Sequence, residues 1–83
     1  MQFRGKVLKN GVEVLKNVTG EIRLGESGDK WTGSFAVPVG RVIQTGHDYT
    51  LVDEKGGAID IRITSLTYGK ERTALFEATS GWR

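Results

Sequence analysis

The chain has 83 residues with 12 basic and 10 acidic side chains, one histidine and no cysteine. This length leaves room for a single domain with one hydrophobic core. The lack of cysteine excludes disulfides and thiolate metal sites and favours a reducing compartment, while the net charge of +2 gives little support to a polyanionic partner.

The first part of the chain predicts strands joined by tight turns. Residues 3–9 form the first strand, and Asn10-Gly11 is the strongest short-range signal for a type I′ hairpin turn. In the next segment, residues 12–24, the even-numbered positions are mostly apolar and are predicted to face inward. This segment is either one strand bent near Asn17 and Gly20 or two strands that meet there.

The central part is less regular. Residues 25–30 read as a polar loop, and residues 31–37 as a strand with its odd-numbered positions inward, ending at Pro38. Residues 39–48 are predicted to be an irregular connection that places one apolar residue inside.

The last part repeats the hairpin pattern. Strands are predicted at residues 48–53 and 58–66, joined by a turn that contains two glycines, and at residues 72–78. No segment shows a helical period, and six or seven strands with one apolar face must curl to bury it. The predicted fold class is all-β, a single small antiparallel β-barrel or roll over residues 1–83.

Residues suited to nucleophilic catalysis are few. A Ser/His/Asp set would have to combine Ser34 or Ser65 with His47 and Asp48, and no nucleophile elbow is present. We interpret His47 as an exposed turn residue. We therefore predict no enzyme activity and no catalytic residue.

Acidic residues surround the central hairpin. Asp48, Asp53, Glu54 and Asp60 lack the spacing of a calcium-binding loop. We interpret them as solvent-facing charges, with Asp60 opposite a cross-strand cation. No metal and no cofactor are predicted.

The basic N-terminal hairpin is the one candidate site. Its cations are predicted to form a patch that contacts a polyanion or another partner. They are Arg4, Lys6, Lys9 and Lys16. Nucleic-acid readers usually add exposed aromatic residues for base stacking, whereas Trp31, Phe35 and Phe76 fall on inward positions. Nucleic-acid binding is therefore the weaker alternative.

Trp82, near the end of the chain, either folds back to close the barrel or is presented to a partner. Burial of an indole is worth about 2–3 kcal/mol, which favours folding back.

The pattern W-T-G-S-F, then G-H-D-Y-T-L, a glycine turn and I-D-I spans residues 31–64. It resembles uncharacterised short bacterial all-β proteins that share W-x-G-x-F, G-x-x-Y-x-L and I-x-I elements. The resemblance implies a β fold and a bacterial setting, and it implies no activity.

The sequence therefore predicts a non-enzymatic interaction module. Its partner is expected to be an unknown protein, or a second copy that forms a homodimer through an open sheet edge, and contact through a sheet face is the other route. No stretch approaches the roughly 18 apolar residues of a membrane span, and no signal peptide is recognised. We expect a cytoplasmic protein with no membrane partner.

Overall fold

The computed structural model describes residues 1–25, 28 and 30–83. The described residues form six strands and contain no helix. The strands are β1 (Gln2–Lys9), β2 (Val12–Leu24), β3 (Trp31–Val37), β4 (Asp48–Asp53), β5 (Ala58–Thr67) and β6 (Arg72–Ala78). The predicted loop over residues 25–30 includes Glu26, Ser27 and Asp29, which lie outside the described residues.

The strands form a closed antiparallel barrel in the order β1-β2-β3-β6-β5-β4, and β4 pairs back onto β1. The predicted all-β fold is confirmed, and of the two predicted forms the structure has the barrel rather than the roll. Closure gives each described strand a neighbour on both sides, which hides most of its backbone hydrogen-bonding groups.

The β1–β2 turn has the predicted geometry. Asn10 and Gly11 have φ angles of 53° and 80°, and Lys9 is the register partner of Val12. Positive φ at both central residues defines a type I′ turn, so this prediction is confirmed.

The prediction that the even-numbered residues of β2 face inward is wrong in the first half of the strand. Leu15 is buried, whereas Val12 is 65% exposed. The register between β1 and β2 shifts twice, and Asn17 has a φ of 55°, which marks a β-bulge. Each extra residue moves the following side chains to the other face. From Val18 to Ile22 the even-numbered parity holds. Even-numbered residues that prove to be exposed are Val12, Lys16 and Leu24.

Inward positions on the other strands follow the predictions. Phe35 and Val37 on β3 and Phe76 on β6 are buried. The rings of Phe35 and Phe76 lie 5.9 Å apart between centroids, and Phe3 meets Phe76 at 6.3 Å. These three rings form an aromatic cluster in a core that is mostly aliphatic and also contains Tyr49.

The irregular connection between β3 and β4 contributes one side chain to the core. Ile43 is buried, whereas its neighbour Val42 is 72% exposed. This outcome confirms the prediction that one apolar residue of the connection lies inside.

The barrel wall leaves no space for a side chain beside Gly20 of β2. A Cβ atom at this position would lie 2.0 Å from the carbonyl oxygen of Ser34 and 2.8 Å from the Cα of Phe35. The backbones of β2 and β3 therefore occupy the space that a side chain would need, and only glycine fits.

The C-terminal segment folds back on the barrel, as predicted for Trp82. Its indole packs edge-on against Trp31, with 6.4 Å between ring centroids and an angle of 85°. Arg83 and Ala58 exchange two backbone hydrogen bonds, of 2.7 and 3.0 Å. The segment therefore extends the pairing of β5 beyond the end of β6.

Candidate functional site

The four predicted cations do not form one patch. Arg4, Lys6 and Lys16 line a common hollow of about 440 Å³ beside the β4–β5 turn. Lys9 lies elsewhere, with its ammonium group 5.1 Å from the centroid of the Tyr49 ring and in a hydrogen bond to His47. The structure therefore brings three of the four together.

Carboxylates share that hollow with the cations. Glu13, Asp53 and Glu54 line the same hollow, and its described lining includes no aromatic side chain. Equal numbers of opposite charges cancel the positive potential that attracts phosphate backbones, and no ring is present for base stacking. The hollow is poorly suited to a polyanion.

The residues considered for catalysis have other partners. Lys9 donates a hydrogen bond to Nδ1 of His47. Asp48 accepts two hydrogen bonds from Arg62, of 2.8 and 3.3 Å, and these lower the pKa of Asp48. No described hydrogen bond joins His47 to Ser34 or Ser65.

The predicted surroundings of Asp60 need a correction. Its register partner across β4 is Thr50, not a cation. The cation comes instead from the C-terminal segment, where Arg83 donates two hydrogen bonds to the carboxylate, of 2.8 and 3.1 Å. Among the described residues, no group of three or more histidine or acidic side chains is placed to hold a metal ion.

The Asp60 contacts predict a pH-dependent stability. Hydrogen bonds from Arg83 and then Thr50 lower the pKa of Asp60 in the folded protein. Since the unfolded value is about 3.9, their stabilisation is complete above that pH and is lost as the pH falls through the lower folded pKa. We expect Asp60→Asn to lower the free energy of unfolding at pH 7 by up to about 1 kcal/mol, because the pair is partly exposed. Urea unfolding at pH 7 and pH 3 measures the difference.

At pH 3 the difference in the free energy of unfolding between the Asp60→Asn variant and the native chain should be smaller than at pH 7. The control is Glu13→Gln, because Glu13 is exposed and has no described hydrogen bond through its side chain. It should match the native chain at both pH values. An equal gap for Asp60→Asn at the two pH values would contradict this account.

A hollow of about 710 Å³ lies on the outer face of the sheet, across β1, β2, β3 and β6. Its floor is a row of short side chains. Thr19 pairs with Arg4 across β1, and Ala36 pairs with Thr73 across β6. Thr19 and Ala36 lie next to the Gly20 and Phe35 pair, at the point where β2 and β3 part.

Charges of both signs surround this floor. Glu21, Glu54 and Glu71 line the hollow together with Arg4 and Lys55. None of them belongs to the ion pairs found in the described part of the chain, which are Lys30–Glu77, Arg62–Asp48 and Arg83–Asp60.

A second hollow, of about 440 Å³, continues the first along the same face. Glu21 and Ser34 line both. The second hollow adds two exposed apolar side chains, Met1 (70% exposed) and Leu75 (38% exposed). We call the two hollows together the outer groove.

Sequence reasoning did not identify the outer groove. It placed Thr32, Ser34 and Ala36 on the outward face of β3, but it named no groove there. The signal that could have revealed the groove is a set of short outward side chains beside an inward glycine, because such a strand lets a neighbouring chain approach its backbone closely.

Barrel closure corrects the expectation of open sheet edges. One exception is the first half of β2, because β3 pairs with β2 only from Gly20 to Leu24. Another is the end of β5, because β4 pairs with β5 only from Ala58 to Arg62. Within residues 12–19 a bulge at Asn17 and the exposed Lys16 oppose the addition of another strand. The homodimer through an edge stays a prediction.

Comparison of the chain with protein families, with curated proteins and with solved structures finds no match. The resemblance to short bacterial all-β proteins therefore stays a prediction. Among the described residues, none forms a helix of the length and apolarity that crossing a bilayer requires.

Proposed function

We propose that this protein is a non-enzymatic interaction module that binds a partner protein through the outer groove. The observation that carries the proposal is the hollow of about 710 Å³, in which short side chains of β2, β3 and β6 form the floor. A cytoplasmic, bacterial setting is part of the proposal. It is supported by the cysteine-free core and by the sequence resemblance.

The floor of the groove suits a polypeptide segment. Thr19, Ala36 and Thr73 are short, so a chain lying across them can approach the sheet backbone. Short side chains also lose little rotamer entropy when they are covered. Met1 and Leu75 add an apolar contact at the far end.

Charged side chains at the rim of the groove orient the bound partner. Acidic and basic side chains both line it, so a partner with complementary charges is favoured and a mismatched partner is repelled. The residues considered for catalysis do not line it as a set: His47 and Asp48 are absent from its lining, and Ser34 lies on the floor without a described base.

Nucleic-acid binding has less support than protein binding. The hollow with Arg4, Lys6 and Lys16 contains three carboxylates, and Lys9 is remote from it. The two functions differ in salt dependence, because counterion release makes polyanion binding fall steeply with ionic strength.

The test is capture of partners from cells of the source organism by immobilised native protein and by two variants. Thr19→Arg fills the floor of the groove from an exposed position, and we expect it to lower the amount of the specific partner at least tenfold. Thr45→Arg is the control, because it adds the same side chain at an exposed site in the β3–β4 connection. Quantitative mass spectrometry compares the three captures.

Equal unfolding midpoints of the three proteins would show that the variants fold. Equal capture by all three would refute the proposal. Capture that nuclease treatment abolishes, or that falls steeply between about 50 and 200 mM salt, would replace it with the nucleic-acid alternative.

A further inference from the structure

One end of the barrel concentrates exposed apolar side chains. The β1–β2, β3–β4 and β5–β6 connections all lie at this end, since the strands alternate in direction. Among the described residues, the large apolar side chains with the highest exposure besides Met1 lie in or beside these connections. They are Val39 (100%), Tyr68 (76%), Val42 (72%) and Val12 (65%).

Val39 stands at the tip of a tight turn. The backbone N–H of Arg41 donates to the carbonyl of Pro38 at 3.1 Å, and Gly40 has a φ of 81°. This geometry is that of a type II turn, with Val39 as the first central residue. Its side chain is therefore presented away from the barrel by a defined backbone and not by a loose chain.

Arg72 fastens this turn to the neighbouring one. Its guanidinium donates to the carbonyls of Pro38 and Arg41, at 3.3 and 2.5 Å. Arg72 opens β6, directly after the β5–β6 connection that carries Tyr68. The valine turn and the tyrosine turn are therefore held together at one end of the barrel, and we call Val39, Val42 and Tyr68 the apolar end.

Cations accompany the apolar end. Arg41 lies between the two valines, and Lys70 follows Tyr68 by two residues. Both are exposed, and neither belongs to a described ion pair. Glu71 is the acid beside them, so the surface favours an occupant with negative charge.

A second copy of the chain fits this surface poorly. In a two-fold symmetric contact the same patch meets itself, so two copies each of Arg41 and Lys70 would be brought into one contact in which Glu71 is the acid beside them. A rigid protein partner would need pockets shaped to receive protruding side chains. A lipid interface yields to them, and tyrosine is favoured at the level of the headgroups.

We propose that the apolar end docks reversibly on an anionic lipid surface. Val39 and Val42 enter the boundary between headgroups and acyl chains, and Tyr68 lies at the headgroup level. Arg41 and Lys70 contact the negative headgroups. The sequence-based expectation of no membrane partner rested on the lack of a spanning segment, and surface docking needs none.

The test is sedimentation of the full chain with vesicles of phosphatidylcholine alone or with about one third phosphatidylserine. The native chain should bind the mixed vesicles, and 0.5 M salt should release it. The double variant Val39→Ser with Val42→Ser should lower the partition coefficient at least tenfold, because two apolar contacts are lost. Arg41→Glu with Lys70→Glu should remove the preference for phosphatidylserine.

The control is Leu24→Ser, which removes an exposed apolar side chain at the opposite end of the barrel and should leave binding unchanged. Urea unfolding midpoints confirm that each variant folds, and the substituted valines are exposed enough for this to be expected. Failure of the native chain to bind mixed vesicles overturns the proposal, and so does equal binding by the double valine variant. A valine-dependent complex with an acidic protein, formed without vesicle binding, would also overturn it and assign the surface to that protein.

Discussion

Replacing Gly20 with alanine is expected to cost about 3 kcal/mol or more of unfolding free energy, because overpacking and lost ladder hydrogen bonds add together. The new Cβ would lie 2.0 Å from the carbonyl oxygen of Ser34. That oxygen belongs to the backbone, so no rotamer change relieves the contact. A chain of this size is stabilised by roughly 4–12 kcal/mol in total. Urea unfolding followed by tryptophan fluorescence measures the loss.

Gly81→Ala is the matched control. A Cβ at position 81 would meet no atom within 4 Å, and Gly81 is not among the glycines with positive φ. The control should therefore change stability by less than about 1 kcal/mol, and in the stabilising direction, because it restricts the unfolded chain. If Gly20→Ala behaves like Gly81→Ala, the close approach of β2 and β3 does not exist in solution.

Local signals were sufficient to predict most of the barrel. The Asn10-Gly11 turn requires positive φ at two positions, and few sequences tolerate it, so the dipeptide alone fixed the first hairpin. Strands β3, β4 and β6 have the predicted bounds because their alternation is uninterrupted. The curling of the sheet also follows from physics, since a short chain with one apolar sheet face must bury it, whereas the choice of a closed barrel over a roll was left open.

The bulges of β2 could not be located from the sequence. An extra residue can be located only when the register with the partner strand is known, and the register that pairs Leu15 with Val7 across the hairpin is not evident from the apolar pattern of either strand. Lys16 did interrupt the apolar parity, and Asn17 tolerates positive φ, so the position of the bend was predictable and its consequence was not. Register is a tertiary property, and it decided which face Val12 and Leu15 occupy.

The candidate surfaces were less predictable than the fold. The cationic patch was predicted from the sequence of β1 and β2 alone. That prediction did not take account of the β4–β5 turn, which places Asp53 and Glu54 in the same hollow. The N–H of Glu54 donates to the carbonyl of Arg4 at 2.9 Å, and this contact joins residues 50 positions apart. Charge neighbourhoods on a closed barrel are set by such distant pairings, so net charge along a segment is a weak guide to function.

The aromatic centre of the core gives the other large expected effect. Phe76 is 2% exposed and contacts both Phe3 and Phe35, with centroid distances of 6.3 and 5.9 Å. Phe76→Ala removes a buried ring and leaves a cavity that a closed barrel cannot collapse to fill, so we expect a loss of about 3–5 kcal/mol. Urea unfolding at pH 7 provides the measurement, and a large part of the population should be unfolded without denaturant if the native stability is near the lower bound.

The adjacent residue provides the matched control for parity. Leu75 is 38% exposed on the outer face, one position away from Phe76, and Leu75→Ala should cost about 1 kcal/mol or less. Successive side chains of a strand point to opposite faces. The ratio of the stability losses of Phe76→Ala and Leu75→Ala therefore shows which face of β6 packs against the core. Similar losses for the two variants would mean that β6 has an apolar environment on both faces, and the outer groove would then be covered in the native protein. A large loss for Phe76→Ala alone would establish that the outer groove, which Leu75 lines, is open to a partner.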